Sequence, residues 1–142
     1  MVKKILIMGL PGAGKTTLAK VLAPKLNAVL FNADEIRANI NKDLGFACED
    51  RLEQARRMGW LCDQIVKVGN FVIADFICPT NETRAEFCKN GKAFIIFVNR
   101  ISSGRFADTN KIFIHPQNYD FEVEPEGSAE FWAEKIYQKI IS

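Results

Sequence analysis

The run G-L-P-G-A-G-K-T at residues 9–16 satisfies every fixed position of the pattern GxxxxGK[ST]. Each residue type has a chemical reason. Glycines let successive backbone N–H groups turn toward phosphate oxygens. A helix starting near Lys15 adds its positive end. Lys15 is placed to reach the β- and γ-phosphates of a nucleotide, and the Thr16 hydroxyl is a ligand for Mg²⁺. The alternative is a glycine-rich turn that only joins a strand to a helix. The flanking pattern argues against it, because a buried strand precedes the run and an amphipathic helix follows it.

Those flanks belong to an alternating pattern. Lys4–Met8 is a continuous apolar run, as in a parallel strand covered on both faces. Residues 15–26 follow as a helix, with Pro24 placed to end it early. A short strand at 28–31 leads into a helix over 34–41, where Asp34 stands at the start and a carboxylate is favoured. A turn at 43–46 precedes a long helix over 49–68, whose expected buried stripe is Leu52, Ala55, Leu61, Ile65 and Val68. Strands are expected at 71–74 and 93–98, with a helix at 81–89 between them. Residues 99–117 show no period and read as a long, functional, lid-like loop. A last strand at 120–123 and an amphipathic helix at 128–141, with Trp132, Ile136 and Ile140 on one side, complete the chain. Strands alternating with helices predict an α/β fold around a mostly parallel sheet, and the phosphate loop after its first strand makes the expectation a three-layer α/β/α fold of the P-loop nucleotide kinase type. The expectation is one domain spanning residues 1–142.

Composition narrows the classes. The 142 residues are 48% hydrophobic and 25% charged, enough for a core without disulfides or a structural metal. A net charge of +2, with no basic run, points away from nucleic acid. The four cysteines, Cys48, Cys62, Cys78 and Cys88, form no CxxC pair, and His115 is the only histidine. A zinc site lacks its usual paired ligands, so reduced thiols are expected. The opening MVKKILIMGL has lysines before an apolar stretch, but no small-residue cleavage site follows, and it reads as a strand. No stretch has the length of a membrane span, and a cytoplasmic protein is expected. There is no NKxD guanine motif, and the small size favours a small-molecule kinase.

From the phosphate loop onward, the chain resembles adenylyl-sulfate kinases, which use ATP to phosphorylate the ribose 3′-hydroxyl of adenylyl sulfate. The resemblance rests on blocks in order over residues 3–90: GLPGAGKTTLAKVL at 9–22, NADEIR at 32–37, DLGFACEDR at 43–51, ARR at 55–57 and FICPTNETR at 76–84. It implies that Gly9, Leu10, Pro11, Gly12, Ala13, Gly14, Lys15, Thr16 and Thr17 hold ATP. It implies a hydroxyl-orienting or general-base role for Asp34, whose plainer alternative is a helix N-cap. Arg37 and Arg51 match arginines that grip the acceptor's anionic groups, and solvated helix faces are their alternative. Phe46 matches an aromatic that stacks on adenine; its alternative is a core side chain. Gln54, Ile77 and Cys78 fall in the acceptor-binding blocks. A homodimer is also compatible with the family.

The chain departs from the family's pattern at several points. Gln54 stands where Asn is usual, and Cys78 where Ser is. Asp75 stands where a small residue is usual; it reads either as a Walker B carboxylate for Mg²⁺ or as a strand-end turn cap. After residue 98 the family's lid blocks are replaced by RISSGRFADTNKIFIHPQNYDFEV. Arg105 is the candidate lid arginine for the transferring phosphoryl group, and Phe106 or Phe113 the second aromatic of an adenine clamp. Three functions therefore stand: an adenylyl-sulfate kinase, a kinase of the same mechanism on another nucleotide such as cytidine diphosphoramidate, and a non-catalytic ATP-binding regulatory module.

Overall fold

The computed structural model describes residues 1–104 and 107–142, and of residues 107 and 108 the backbone alone. Five strands form one parallel sheet. In chain order they are β1 (Lys4–Met8), β2 (Val29–Asn32), β3 (Val72–Asp75), β4 (Phe94–Val98) and β5 (Phe121–Val123). Their spatial order is β2-β3-β1-β4-β5, with every neighbouring pair parallel. The helices are α1 (Lys15–Leu26), α2 (Ala33–Asn39), α3 (Cys48–Lys67), α4 (Asn81–Phe87), α5 (Ala107–Ile112) and α6 (Ala129–Ile141).

All five residues of β1 are buried, as a central strand covered on both faces must be. Alternate side chains go to opposite layers. Ile5 and Ile7 join α1 and α6 residues such as Leu22 and Ile136, while Leu6 and Met8 join Met58 and Phe87 of α3 and α4. The three-layer expectation therefore holds. Helices α1 and α4 leave the adjacent strands β1 and β3 for opposite faces. The carboxyl ends of those two strands thus open a crevice, which is where parallel α/β sheets bind ligands. No helix among the described residues is long and apolar enough to cross a membrane.

Four local expectations need correction. Pro24 does not stop α1, which continues to Leu26 and ends with Asn27 in the left-handed conformation at φ 51°. Helix α2 is capped by Asn32, whose Oδ1 accepts from the Glu35 N–H at 3.1 Å; Asp34 lies inside the first turn instead. The buried stripe of α3 is Gln54, Ala55, Met58, Gly59 and Cys62, whereas Val68 is exposed. The periodicity favoured large apolar residues, but α4 packs so closely that a Cβ on Gly59 would lie 2.5 Å from the Phe87 carbonyl oxygen. Finally, residues 99–117 are not all loop, because α5 forms within them.

Candidate active site

The phosphate loop follows β1 in backbone conformations that its sequence permits. Gly12 and Gly14 have φ of 87° and 95°, in the region that favours glycine. Gly14 is the residue from which α1 starts. At Gly9 the constraint is proximity: a Cβ there would lie 2.6 Å from the Val98 carbonyl oxygen of β4. Lys15 is buried at the loop's centre, and its Nζ donates to the Leu10 carbonyl at 3.0 Å.

Two strand ends bring a carboxylate to this loop. Asn32 closes β2 and Asp75 closes β3, and the two are partners in the parallel register. Asn32 Nδ2 donates to Asp75 Oδ2 at 2.9 Å and to Thr16 Oγ1 at 3.3 Å. Asp75 is only 1% exposed. Burial pushes its carboxyl above the ordinary range, against hydrogen bonds from Asn32 and Thr16 and the nearby Lys15 charge. Thr16 and Asp75 are hard oxygen donors side by side, which suits Mg²⁺. Among the described residues no group of three or more His, Cys, Asp and Glu forms a metal-binding cluster.

A single cavity of about 750 Å³ joins this donor side to the other candidates. Gly12, Gly14, Lys15 and Thr16 line one part, and Asp34, Arg37, Phe46 and Arg51 line another. Asp34 projects from the exposed side of α2's first turn. Phe46 is 65% exposed, so the core alternative for it is excluded. Its ring carries two cations: the Arg37 guanidinium lies 4.5 Å from its centroid and that of Arg51 5.6 Å. Arg51 Nε also donates to the Phe46 carbonyl at 2.9 Å. Arg37 Nε is buried with no hydrogen-bond partner among the described residues. Burial and mutual repulsion push the Arg37 guanidinium below its ordinary range, and burial does the same to Arg51. Two half-desolvated cations beside an exposed aromatic ring form an environment that favours an anion attached to a flat base.

Gln54 and Cys78 line the same cavity but are fully engaged in packing. The Gln54 amide accepts from Asn41 at 2.7 Å and donates to the Ala33 carbonyl at 3.2 Å. Cys78 is completely buried and sits in the left-handed region at φ 48°. Burial pushes its thiol up to about 12. Ile77 lines the cavity beside Cys78, in the loop that follows β3. Arg84, the last residue of the FICPTNETR block, points away from solvent and donates to the Cys78, Pro79 and Ile114 carbonyls. Phe113 packs against Phe97 and the Arg84 guanidinium, and it is not among the cavity's lining residues. Arg105 and Phe106 lie outside the described residues.

Two polar residues that line the cavity were not singled out in the sequence. Asn32 looked like part of a block and nothing more. Thr109 of α5 lines the cavity, buried, with Arg51 Nη2 donating to its hydroxyl at 3.4 Å. No periodicity marked Thr109, and only its position in the lid-like stretch hinted at it.

A parallel sheet with a phosphate loop after its central strand, and a second ligand-sized region at the carboxyl ends of β2 and β3, defines a P-loop kinase fold. Within that class the chain belongs to the adenylylsulphate kinase family, whose model matches residues 1–112. The chain is 40% identical over 101 residues to the adenylyl-sulfate kinase of Gloeothece citriformis, covering 67% of this chain and 57% of that protein. It is 41% identical over 85 residues to the adenylyl-sulfate kinase of Bacillus licheniformis, covering 56% and 43%. The chain thus spans about half the length of the curated relatives it matches. Its fold superposes with a TM-score of 0.87 on the APS kinase of Mycobacterium tuberculosis in complex with AMPPNP and APS, at 22% identity and complete coverage of both chains.

Proposed function

We propose that the chain is an ATP-dependent phosphotransferase that phosphorylates the ribose 3′-hydroxyl of adenylyl sulfate, with residues 1–142 acting as one kinase domain. One observation carries this reading: the phosphate loop and the Asp34–Arg37–Phe46–Arg51 constellation share one cavity. Membership of the adenylylsulphate kinase family supports the choice of acceptor.

The mechanism follows from these residues. Backbone N–H groups of residues 9–17, all but Pro11, cradle the ATP phosphates, and Lys15 leaves the Leu10 carbonyl to meet the β- and γ-oxygens. Thr16 and Asp75 are the residues that would hold Mg²⁺, which when bound supplies charge neutralisation between the β- and γ-phosphates. Arg37 and Arg51 grip the acceptor's phosphosulfate, and the open face of Phe46 takes its adenine. Asp34 orients the 3′-hydroxyl and accepts its proton as the oxygen attacks the γ-phosphorus in line. The bond from that phosphorus to the bridging oxygen breaks, and ADP leaves. Coupled ADP release with adenylyl sulfate tests the proposal. Turnover no greater than background ATP hydrolysis would overturn it.

A second reading keeps this mechanism and changes the acceptor. It is favoured by the stretch after residue 112, which lies beyond the family match, and by Gln54 and Cys78 on the cavity wall. A panel with radiolabelled ATP, including cytidine diphosphoramidate, separates the two. Exclusive use of adenylyl sulfate would remove the second reading. Transfer that disappears in Lys15→Ala would likewise remove a purely regulatory role.

A further inference from the structure

Among the described residues, Asn32 is the side chain that bonds the phosphate loop, the buried carboxylate and the acceptor-side helix together. Its three bonds impose one orientation. The Glu35 N–H can only be accepted by Oδ1, so the amide nitrogen must face Asp75 Oδ2 at 2.9 Å and Thr16 Oγ1 at 3.3 Å. The backbone register reinforces this, because Asn32 and Asp75 are paired residues at the ends of neighbouring strands. The amide therefore cannot turn without uncapping α2, and Asp75 cannot turn without losing the amide, one of its two side-chain donors beside Thr16. From this we infer that Asn32 is a positioning residue: its NH₂ group fixes Thr16 and Asp75 as a preset oxygen pair for the divalent cation that accompanies ATP. The cap fixes Asp34 in register with that pair. The inference rests on the reading of this cavity as a metal–ATP site.

A helix cap alone would also explain an asparagine here, so the test must separate the two roles. Serine caps a helix about as well as asparagine, but its hydroxyl is too short to span to Asp75 and Thr16. Alanine loses both functions. The probe is a non-hydrolysable ATP analogue, titrated with and without Mn²⁺ by calorimetry on the wild-type chain, N32S and N32A, with thermal midpoints recorded alongside. The readout is the factor by which Mn²⁺ tightens analogue binding. That factor is expected to fall about tenfold in both variants, as loss of a ligand-orienting partner does at other metal sites. Metal-free analogue binding should be unchanged, and only N32A should lose the cap's share of thermal stability. An unchanged Mn²⁺ factor in N32S, whatever N32A does, would reduce Asn32 to a cap and overturn the inference. Failure of the wild-type chain to bind the analogue at all would instead overturn the proposed function, and this inference with it.

Discussion

Asp75 shows what the site costs the fold. Its carboxyl binds a proton more tightly in the folded protein than in the unfolded chain, because burial outweighs Asn32, Thr16 and Lys15. Between the ordinary value of 3.8 and that raised value, the folded state holds more protons. Stability therefore falls as pH rises through this window, and the loss persists at neutral pH. Asp75→Asn should consequently raise the thermal midpoint at pH 7 by a few degrees, with the gain vanishing in acid, while phosphoryl transfer drops. Calorimetric scans across pH check the first part and a transfer assay the second. The cysteines give an independent check on burial. Burial pushes the thiols of Cys62 and Cys78 up to about 12, whereas Cys48 is exposed at the start of α3. Ellman's reagent should label Cys48 rapidly in the native protein and reach Cys62 and Cys78 only on unfolding. Rapid labelling of Cys78 would contradict the closed wall described for that loop.

At the scale of elements, the contact between α3 and α4 depends on the absence of a side chain. Gly59 sits where a Cβ would meet the Phe87 carbonyl at 2.5 Å, and backbone cannot yield as a side-chain tip can. Gly59→Ala should cost about 1–3 kcal/mol in denaturant unfolding despite alanine's better helix propensity. An unchanged midpoint would mean that α4 can shift. The same position explains why α3 was only partly legible in the sequence. Its length and its end near residue 68 were readable, because both follow from local rules. Its buried face was not, because that face is chosen by what packs on it. Gln54 and Gly59 look unsuited to a core until the Asn41 amide and the Phe87 carbonyl are in place. Lys4 is a parallel case within β1. It reads as part of an apolar run, yet its buried Nζ pairs with Asp63 at 2.9 Å and donates to the Phe87 carbonyl at 2.6 Å. By contrast, the phosphate loop was legible as a motif, because its residue types follow one fixed local spacing.

Over the whole molecule, the stretch after residue 112 lies outside the family match but is not detached from the core. Arg84 joins the two. Its guanidinium donates to the Cys78 and Pro79 carbonyls on the cavity's wall and to the Ile114 carbonyl beyond α5. The Ile114 N–H returns a bond to the Pro79 carbonyl at 2.7 Å. A planar fork can serve three carbonyls at once, and a lysine ammonium on a flexible stem cannot hold the same spread. Nothing in the sequence announced this role. Arg84 ends a block whose resemblance points toward the acceptor, and its partner Ile114 is thirty residues away. Two effects compete in holding the later stretch: this clamp, and the ring cluster of Phe97, Phe113, His115 and Tyr119. The rings pack on Phe97 of β4, while the clamp and the Ile114–Pro79 backbone bond reach the β3–α4 loop. If the clamp dominates, Arg84→Lys should lower stability by about 2 kcal/mol, as lost hydrogen bonds to a charged group do. It should also speed tryptic cleavage at Lys111 under native conditions, with the acceptor's KM rising and ATP affinity holding. Cleavage at the wild-type rate would show that the rings suffice, and that the cavity wall does not depend on the chain beyond α5.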